Sequence, residues 1–140
     1  MAICGALSHF MFAFPIRVYY EDTDAGGVVY HSQYLNFMER ARTEWLRHFG
    51  FEQTWLKNEL GVVFVVTRAE IKFKIPARFD DLLEIQCQPN KISFSSIEFN
   101  QQIVRESQTL IEATIKIACV DAHTFKPITI PRLIKEKISL

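Results

Sequence analysis

The residues with the clearest chemical potential lie in one short segment, residues 20–34 (YEDTDAGGVVYHSQY). This segment contains two aspartates, Asp22 and Asp24, then a Gly-Gly pair and the histidine His31. A carboxylate in such a loop can act as a general base or as a nucleophile. The segment also stands directly ahead of a strongly patterned helix. The combination predicts an active site in which an acid meets free backbone amides.

Those amides come from the start of the helix and from the glycines. The first amides of a helix have no partner within it and lie at the positive end of the helix dipole. The amides around Tyr30, His31 and Ser32 are therefore predicted to form an oxyanion hole. Gly26 and Gly27 suit the same site because glycine adopts unusual backbone angles and lets a ligand approach the main chain closely.

An amphipathic helix must position these groups. Apolar residues recur at intervals of three and four residues, which predicts a helix over residues 32–49 with Gly50 as its stop. We expect the apolar stripe to be core rather than ligand contact. Its members are Tyr34, Phe37, Met38, Ala41, Trp45 and Phe49.

Strand patterns surround that helix. Alternating apolar residues predict strands over residues 12–20, 71–75, 83–87, 97–103 and 111–119, and residues 62–66 read as a buried strand. A shorter helix is predicted over residues 53–59, ending at Gly61. A curved antiparallel sheet around one long helix would bury the apolar stripe, which predicts a single α+β domain.

Composition limits the possible functions. The 140 residues are 49% hydrophobic, enough for one substantial core. Sixteen basic and sixteen acidic side chains balance to zero net charge, which offers no electrostatic surface for nucleic acid or an anionic membrane. Nowhere do eighteen apolar residues follow one another, so no membrane span is expected. A small or acyl-type ligand fits this composition better.

The cysteines and the N-terminus complete the general picture. Cys4, Cys87 and Cys119 have no metal-ligand spacing and are odd in number, which favours reduced thiols in a cytoplasmic protein without a metal or other cofactor. Residues 1–10 read as a loose extension, and residues 11–140 as the domain.

Residues 20–37 (YEDTDAGGVVYHSQYLNF), with Glu39 and Arg42 after them, resemble the signature of hotdog-fold acyl-CoA thioesterases. They are most similar to the 4-hydroxybenzoyl-CoA thioesterase group, and within it to bacterial thioesterases associated with the Tol-Pal cell-envelope system. The resemblance covers nearly the whole chain. It implies a hotdog fold, in which a five-stranded antiparallel sheet wraps a long central helix. It also implies a homodimer that assembles into a homotetramer, with active sites at the subunit interface.

The resemblance implies a role for each site residue. Asp24 is implied to be the catalytic carboxylate, with the choice between base and nucleophile left open. The ring of His31 either assists it in proton transfer or has no role beyond its backbone amide at the helix start. Asp22 is expected to order the loop through hydrogen bonds to turn amides. The oxyanion and substrate-binding residues are Gly26, Gly27, Val28, Tyr30 and Ser32.

Two other functions stay open at this point. A hotdog hydratase or dehydratase would use Glu39 on the helix, although ion pairs of Glu39 with Arg42, or of Arg40 with Glu44, are the simpler expectation. An acyl-carrier or envelope-complex binding module would keep only weak activity. Acyl carrier protein is therefore a second expected partner besides acyl-CoA.

Overall fold

The five strands of the protein form one antiparallel sheet. The computed structural model describes residues 11–139, so the predicted extension, with Cys4, lies outside the described residues. The sheet order is β1-β3-β4-β5-β2, and every neighbouring pair is antiparallel. The α+β class and the five-stranded antiparallel sheet are thus confirmed. The strands are β1 (Phe12–Arg17), β2 (Val62–Phe73), β3 (Leu82–Ile92), β4 (Ser96–Arg105) and β5 (Gln108–Asp121).

The helix predicted after the motif is α1 (Gln33–His48), which has 16 residues. It begins one residue later and ends one residue earlier than predicted, and Gly50 follows it with a φ of 94°. The short second helix is α2 (Gln53–Trp55), which continues as a π-helical turn (Leu56–Leu60). Gly61 ends that turn in the left-handed conformation, with a φ of 68°. Glycine adopts this conformation without the steric cost that other residues incur.

One face of α1 packs on the sheet. Tyr34, Phe37, Met38, Ala41 and Trp45 are all buried, which confirms that the apolar stripe is core. The rings of Trp45 and Phe99, on β4, meet edge to face with centroids 5.0 Å apart. This contact joins the middle of the sheet to the second half of α1.

Strand β2 differs from its prediction in two ways. The segments predicted at residues 62–66 and 71–75 are one strand, whose pairing with β5 shifts register between Val66 and Arg68. Residues 62–66 are also not fully buried, since Val66 is 50% exposed. The reason is that β2 is an edge strand, and β5 is its sole neighbour in the described sheet. The prediction of a buried run was wrong beyond Val62.

The last helix, α3 (Arg132–Ile138), was not predicted. Pro131 precedes it and sets its start, because proline is well tolerated at the beginning of a helix. Ile134 and Ile138 lie one turn apart and are buried. No helix among residues 11–139 is long and apolar enough to cross a membrane.

The described cysteines, Cys87 and Cys119, are free and buried, in agreement with the expected absence of a disulfide between them. Burial raises the pKa of Cys87 to about 12 and that of Cys119 to about 11. Because the reactive form of cysteine is the thiolate, both thiols are chemically quiet near neutral pH.

Phe99→Ala is expected to lower the free energy of unfolding by about 3 to 5 kcal/mol. The ring is fully buried and supports Trp45, so its loss leaves a cavity in the centre of the core. Urea unfolding at a fixed protein concentration measures the change. Phe94→Ala is the matched control, because Phe94 is 68% exposed and its loss should cost less than about 0.5 kcal/mol. Equal effects of the two changes would contradict this account of the core.

Candidate active site

Asp22 holds the loop between β1 and α1 in place. It is 6% exposed, and its Oδ2 accepts a hydrogen bond from the amide of Tyr19 at 2.8 Å. Its Oδ1 accepts one from Nε2 of Gln33 at 2.8 Å, and its backbone carbonyl accepts one from the amide of Tyr30 at 3.0 Å. One carboxylate thus joins the end of β1 to the start of α1. Asp22 orders the loop, as expected.

Asp24 lies on the exposed side of the same loop. Its Oδ1 accepts a hydrogen bond from the amide of Gly26 at 2.8 Å, and its carbonyl accepts one from the amide of Gly27 at 3.0 Å. Its own amide donates to the carbonyl of Val28 at 2.9 Å. The carboxylate is therefore fixed by a tight turn yet remains open to solvent and substrate.

The two glycines of that turn are required for different reasons. A Cβ on Gly26 would lie 3.2 Å from Oδ1 of Asp24, so any side chain there would press on the carboxylate. Gly27 has open space around it but adopts a φ of 80°, a conformation that disfavours residues with a side chain. A side chain at position 26 would thus displace the carboxylate of Asp24, and one at position 27 would strain the backbone of the turn.

Ala77 and Arg78, which follow β2, hold the loop through backbone contacts. The amide of Val29 donates to the carbonyl of Ala77 at 2.9 Å, and Val28 pairs with Arg78 in an antiparallel bridge. The hydroxyl of Tyr34 accepts a hydrogen bond from the amide of Ala77 at 2.9 Å. Burial raises the pKa of Tyr34, so its phenol stays neutral at physiological pH. The first turn of α1 and the loop that carries Asp24 therefore share one support.

The predicted oxyanion hole has fewer free amides than the sequence indicated. The amide of Tyr30 is occupied by the carbonyl of Asp22, and the amide of Gln33 donates to the carbonyl of Tyr30 at 2.8 Å. Among the described residues, the amides of His31 and Ser32 have no such partner. These two amides lie at the positive end of the α1 dipole, where an oxyanion is stabilised.

His31 lines a cavity of about 280 Å³, here called the His31 cavity. Tyr34 and Phe73 line it, with Val29, Ile75 and Ile111. The ring of Tyr30 stacks against that of His31, with centroids 4.4 Å apart. Within residues 11–139 no hydrogen bond joins His31 to Asp24.

The sequence reasoning missed two supporting groups. The sequence reasoning did not single out Gln33, although its side chain donates a hydrogen bond to Oδ1 of Asp22. Tyr34 was assigned to the core, which is correct, but its hydroxyl also holds Ala77. Both Gln33 and Tyr34 carry a polar group on the first turn of a helix that follows an acidic loop. That position could have indicated a role in holding the loop.

The expected ion pairs on α1 are absent from the described residues. Oε2 of Glu39 accepts a hydrogen bond from the hydroxyl of Thr43 at 2.5 Å, and Glu44 pairs with Arg47 at 3.7 Å. Arg42 turns inward instead and donates to Oε1 of Gln101 at 2.9 Å. The predictions for Glu39 with Arg42 and for Arg40 with Glu44 were wrong. Arg42 finds its partner on the sheet, and Glu44 pairs with Arg47 instead of Arg40.

Comparison with known proteins identifies the family. Residues 18–138 match the model of the thioesterase-like superfamily. The acyl-CoA thioesterase YbgC of Haemophilus influenzae is 47% identical over 124 residues, which cover 89% of this chain and 91% of that protein. The acyl-CoA thioester hydrolase YbgC of Escherichia coli is 49% identical over 125 residues, with coverages of 89% and 92%.

A solved structure agrees with these relatives. The crystal structure of a probable thioesterase from Bartonella henselae superposes with a TM-score of 0.84 at 37% identity. The superposition covers 87% of this chain and 100% of the other. The hotdog thioesterase fold implied by the motif is confirmed. The chain belongs to the thioesterase-like superfamily.

Proposed function

We propose that this protein is an acyl-CoA thioesterase, which hydrolyses a thioester to a free acid and coenzyme A. The observation that carries the proposal is the exposed carboxylate of Asp24, held by its glycine turn in the same loop that leads to the unpaired amides of His31 and Ser32. The YbgC relatives bear acyl-CoA thioesterase names and support the same reaction.

The chemistry needs few groups. The thiolate of coenzyme A leaves readily, because an ordinary thiol has a pKa of about 8.5. The main demands are therefore a polarised carbonyl and an attacking group. In this proposal the amides of His31 and Ser32 bind the carbonyl oxygen, where one such donor contributes about 2.7 to 4 kcal/mol to the transition state. Asp24 either activates water or attacks the carbonyl carbon itself.

The neighbouring residues take supporting roles in the proposal. Gly26 and Gly27 let the thioester approach the backbone. Val28 closes their turn, because its carbonyl accepts a hydrogen bond from the amide of Asp24. His31 lines the His31 cavity, where in this proposal its ring orients water or assists proton transfer. Tyr30, which is 47% exposed, stacks on that ring.

The active unit is proposed to be a homodimer joined through β2. This strand has an unpaired edge, and its exposed apolar residues Val66 and Phe73 lie on one face because the register shift restores their alternation. Antiparallel pairing of two β2 strands would continue the sheet and bury both side chains. Each α1 would then be the long central helix of its half of the dimer, and two dimers would form the tetramer.

The cellular setting is also a proposal. The buried, unpaired thiols of Cys87 and Cys119 suit the reducing cytoplasm, where acyl-CoA is the substrate and acyl carrier protein a further acyl donor. The YbgC-like motif supports an association with the Tol-Pal system. The single domain is proposed to span residues 11–140.

A thiol-release screen tests the proposed activity. The purified protein is incubated with a panel of straight-chain, branched and aromatic acyl-CoAs, and released coenzyme A is measured with a thiol reagent. We expect turnover of at least one class. The hydratase alternative predicts a loss of enoyl absorbance without thiol release, and a binding module predicts capture of acyl carrier protein with negligible hydrolysis. Either of these results would reject the thioesterase assignment.

A further inference from the structure

An ion pair that the proposed mechanism does not use holds the segment to which the loop around Asp24 is bonded. Nη1 of Arg105, the last residue of β4, donates to Oδ2 of Asp81 at 2.7 Å. Asp81 ends the connection from β2 to β3, whose residues 77–81 are here called the 77–81 segment. The two side chains are 23% and 21% exposed, so water screens their attraction less than that of a fully exposed pair.

The carboxylate of Asp81 gives this segment its shape. The same Oδ2 that meets Arg105 accepts a hydrogen bond from the amide of Arg78 at 2.8 Å, and the amide of Asp81 donates to the carbonyl of Arg78 at 3.1 Å. Between these residues Asp80 adopts a φ of 73°, which is uncommon for a residue with a side chain. Such a conformation persists only where the surrounding contacts hold it. Arg105 therefore secures the carboxylate at the centre of those contacts.

The loop that carries Asp24 is bonded to the same segment at both ends. Where the loop begins, the amide of Val18 donates to the carbonyl of Asp81 at 2.9 Å. Where it ends, Val28 forms an antiparallel bridge with Arg78. A shift of the segment would therefore move both ends of the loop. The placement of the Asp24 carboxylate relative to the free amides at the start of α1 depends on this one support.

Arg105 has further contacts that fix its own position. Its Nη1 also donates to the carbonyl of Pro76 at 3.4 Å, and its Nη2 donates to Oε1 of Gln108 at 3.0 Å. Pro76 directly precedes Ala77, whose amide donates to the hydroxyl of Tyr34 on α1. The guanidinium thus bonds both ends of the connection that supports the loop, and its planar fork of donors suits this arrangement.

We propose that Arg105 and Asp81 form a positioning pair for the reaction, which keeps the carboxylate of Asp24 and the free amides of α1 in the arrangement that the transition state requires. The inference rests on the proposed thioesterase function. Neither member of the pair touches the substrate. Reacting groups misplaced by about 1 Å can cost about a hundredfold in rate, so a smaller shift of the loop has a measurable effect. The loss should appear in kcat, because these groups act on the transition state.

Removal of the guanidinium tests the pair. Arg105→Ala is expected to lower kcat about tenfold and to change KM less than about twofold. Arg105→Lys should keep kcat within about threefold of the native value, because its ammonium group can still meet Asp81. Thiol-release kinetics measure both constants, at a temperature well below the unfolding midpoint of each variant. Arg132→Ala is the matched control, since Arg132 also forms a 2.9 Å ion pair, with Glu136 on α3, and its kcat should equal the native value.

Added guanidinium gives a readout that a loss of folded protein would not. A groove of about 890 Å³ opens beside the pair and is lined by both Arg105 and Asp81. Guanidinium ions can therefore reach the carboxylate of Asp81 once the side chain at position 105 is shortened. We expect millimolar guanidinium chloride, far below unfolding concentrations, to raise kcat of Arg105→Ala at least about threefold, with saturation. Sodium chloride at the same ionic strength should have no such effect, and equal responses to the two salts would contradict the proposed role.

A double variant tests whether the two residues act as one unit. Asp81→Asn keeps an acceptor for the amide of Arg78 but loses the charge that holds Arg105, and it should lower kcat about fivefold. Combined with Arg105→Ala, it should lower kcat no further than Arg105→Ala alone. A loss equal to the product of the two single losses would overturn the inference. Asp81→Asn gives the answer by itself if Arg105→Ala does not fold.

Failure of this inference differs from failure of the thioesterase function. Native kcat in both Arg105→Ala and Asp81→Asn would overturn the positioning role and leave the thioesterase function intact. A rise in KM with unchanged kcat would also overturn it, because the pair would then serve substrate binding. If the native protein releases no thiol from any acyl-CoA, the thioesterase function is rejected and the inference with it.

Discussion

Replacing Asp24 with asparagine is expected to lower kcat at least about a hundredfold while the loop keeps its shape. The oxygen of an asparagine side chain can still accept the hydrogen bond from the amide of Gly26, so the turn remains intact. The amide group cannot remove a proton from water or attack a carbonyl at a useful rate. Thiol-release kinetics, with circular dichroism to compare the folded states, measure the change.

The neighbouring acids are the controls for this experiment. Glu21 is an exposed carboxylate three residues before Asp24, and Glu21→Gln should leave kcat within about twofold of the native value. Asp22→Asn should act on stability instead, because Asp22 accepts hydrogen bonds from Tyr19 and Gln33 in the buried part of the loop. Native turnover by the Asp24 variant would remove Asp24 from the mechanism.

The two possible roles of Asp24 differ in the fate of an oxygen atom. If Asp24 is the nucleophile, it forms an acyl anhydride, and water then attacks this intermediate. A single turnover in ¹⁸O water would leave the label in the protein carboxylate if that water attacks the Asp24 carbonyl. If Asp24 is a general base, the label enters the acid product directly and never the protein. Label in the peptide that contains Asp24, measured by mass spectrometry, would therefore establish the nucleophilic role.

The sequence predicted those elements whose apolar residues recur at a regular spacing over several turns or alternations. The apolar spacing of Tyr34, Phe37, Ala41 and Trp45 predicted α1 to within one residue at each end, because the helix has to bury that stripe. The helix α3 offered only Ile134 and Ile138, a single turn of spacing. Two residues do not distinguish a helix from an irregular segment, so its position depends on tertiary packing that local sequence does not show.

Some features of the site could likewise be predicted from the sequence and others could not. The loop-ordering role of Asp22 was predictable, since short carboxylates in turns usually accept hydrogen bonds from nearby amides. The loss of the Tyr30 amide to the carbonyl of Asp22 was not, because that bond joins residues whose approach depends on the folded loop. The inward turn of Arg42 likewise depends on Gln101, which lies 59 residues away on β4. Contacts of this range leave no periodic trace in the sequence.

The double variant Val66→Lys, Phe73→Lys is expected to convert the proposed β2-paired dimer to a monomer and to lower kcat/KM at least about tenfold. Both side chains lie on the edge strand and are 50% and 53% exposed in the single chain, so lysine should be tolerated there by the fold itself. In a β2-paired dimer, however, the lysines of opposing strands would meet in a formerly apolar contact and repel one another. Light scattering after size-exclusion chromatography measures the mass.

Loss of activity should follow loss of the dimer, because the His31 cavity would then end at open solvent beside Phe73 instead of against the β2 strand of a partner. Phe94→Lys controls for added charge, since Phe94 is an exposed aromatic residue outside β2 and should leave both mass and activity unchanged. A double variant that remains dimeric would move the interface away from β2. A monomer with native turnover would show that each chain holds a complete site, and the homodimer would then not be the active unit.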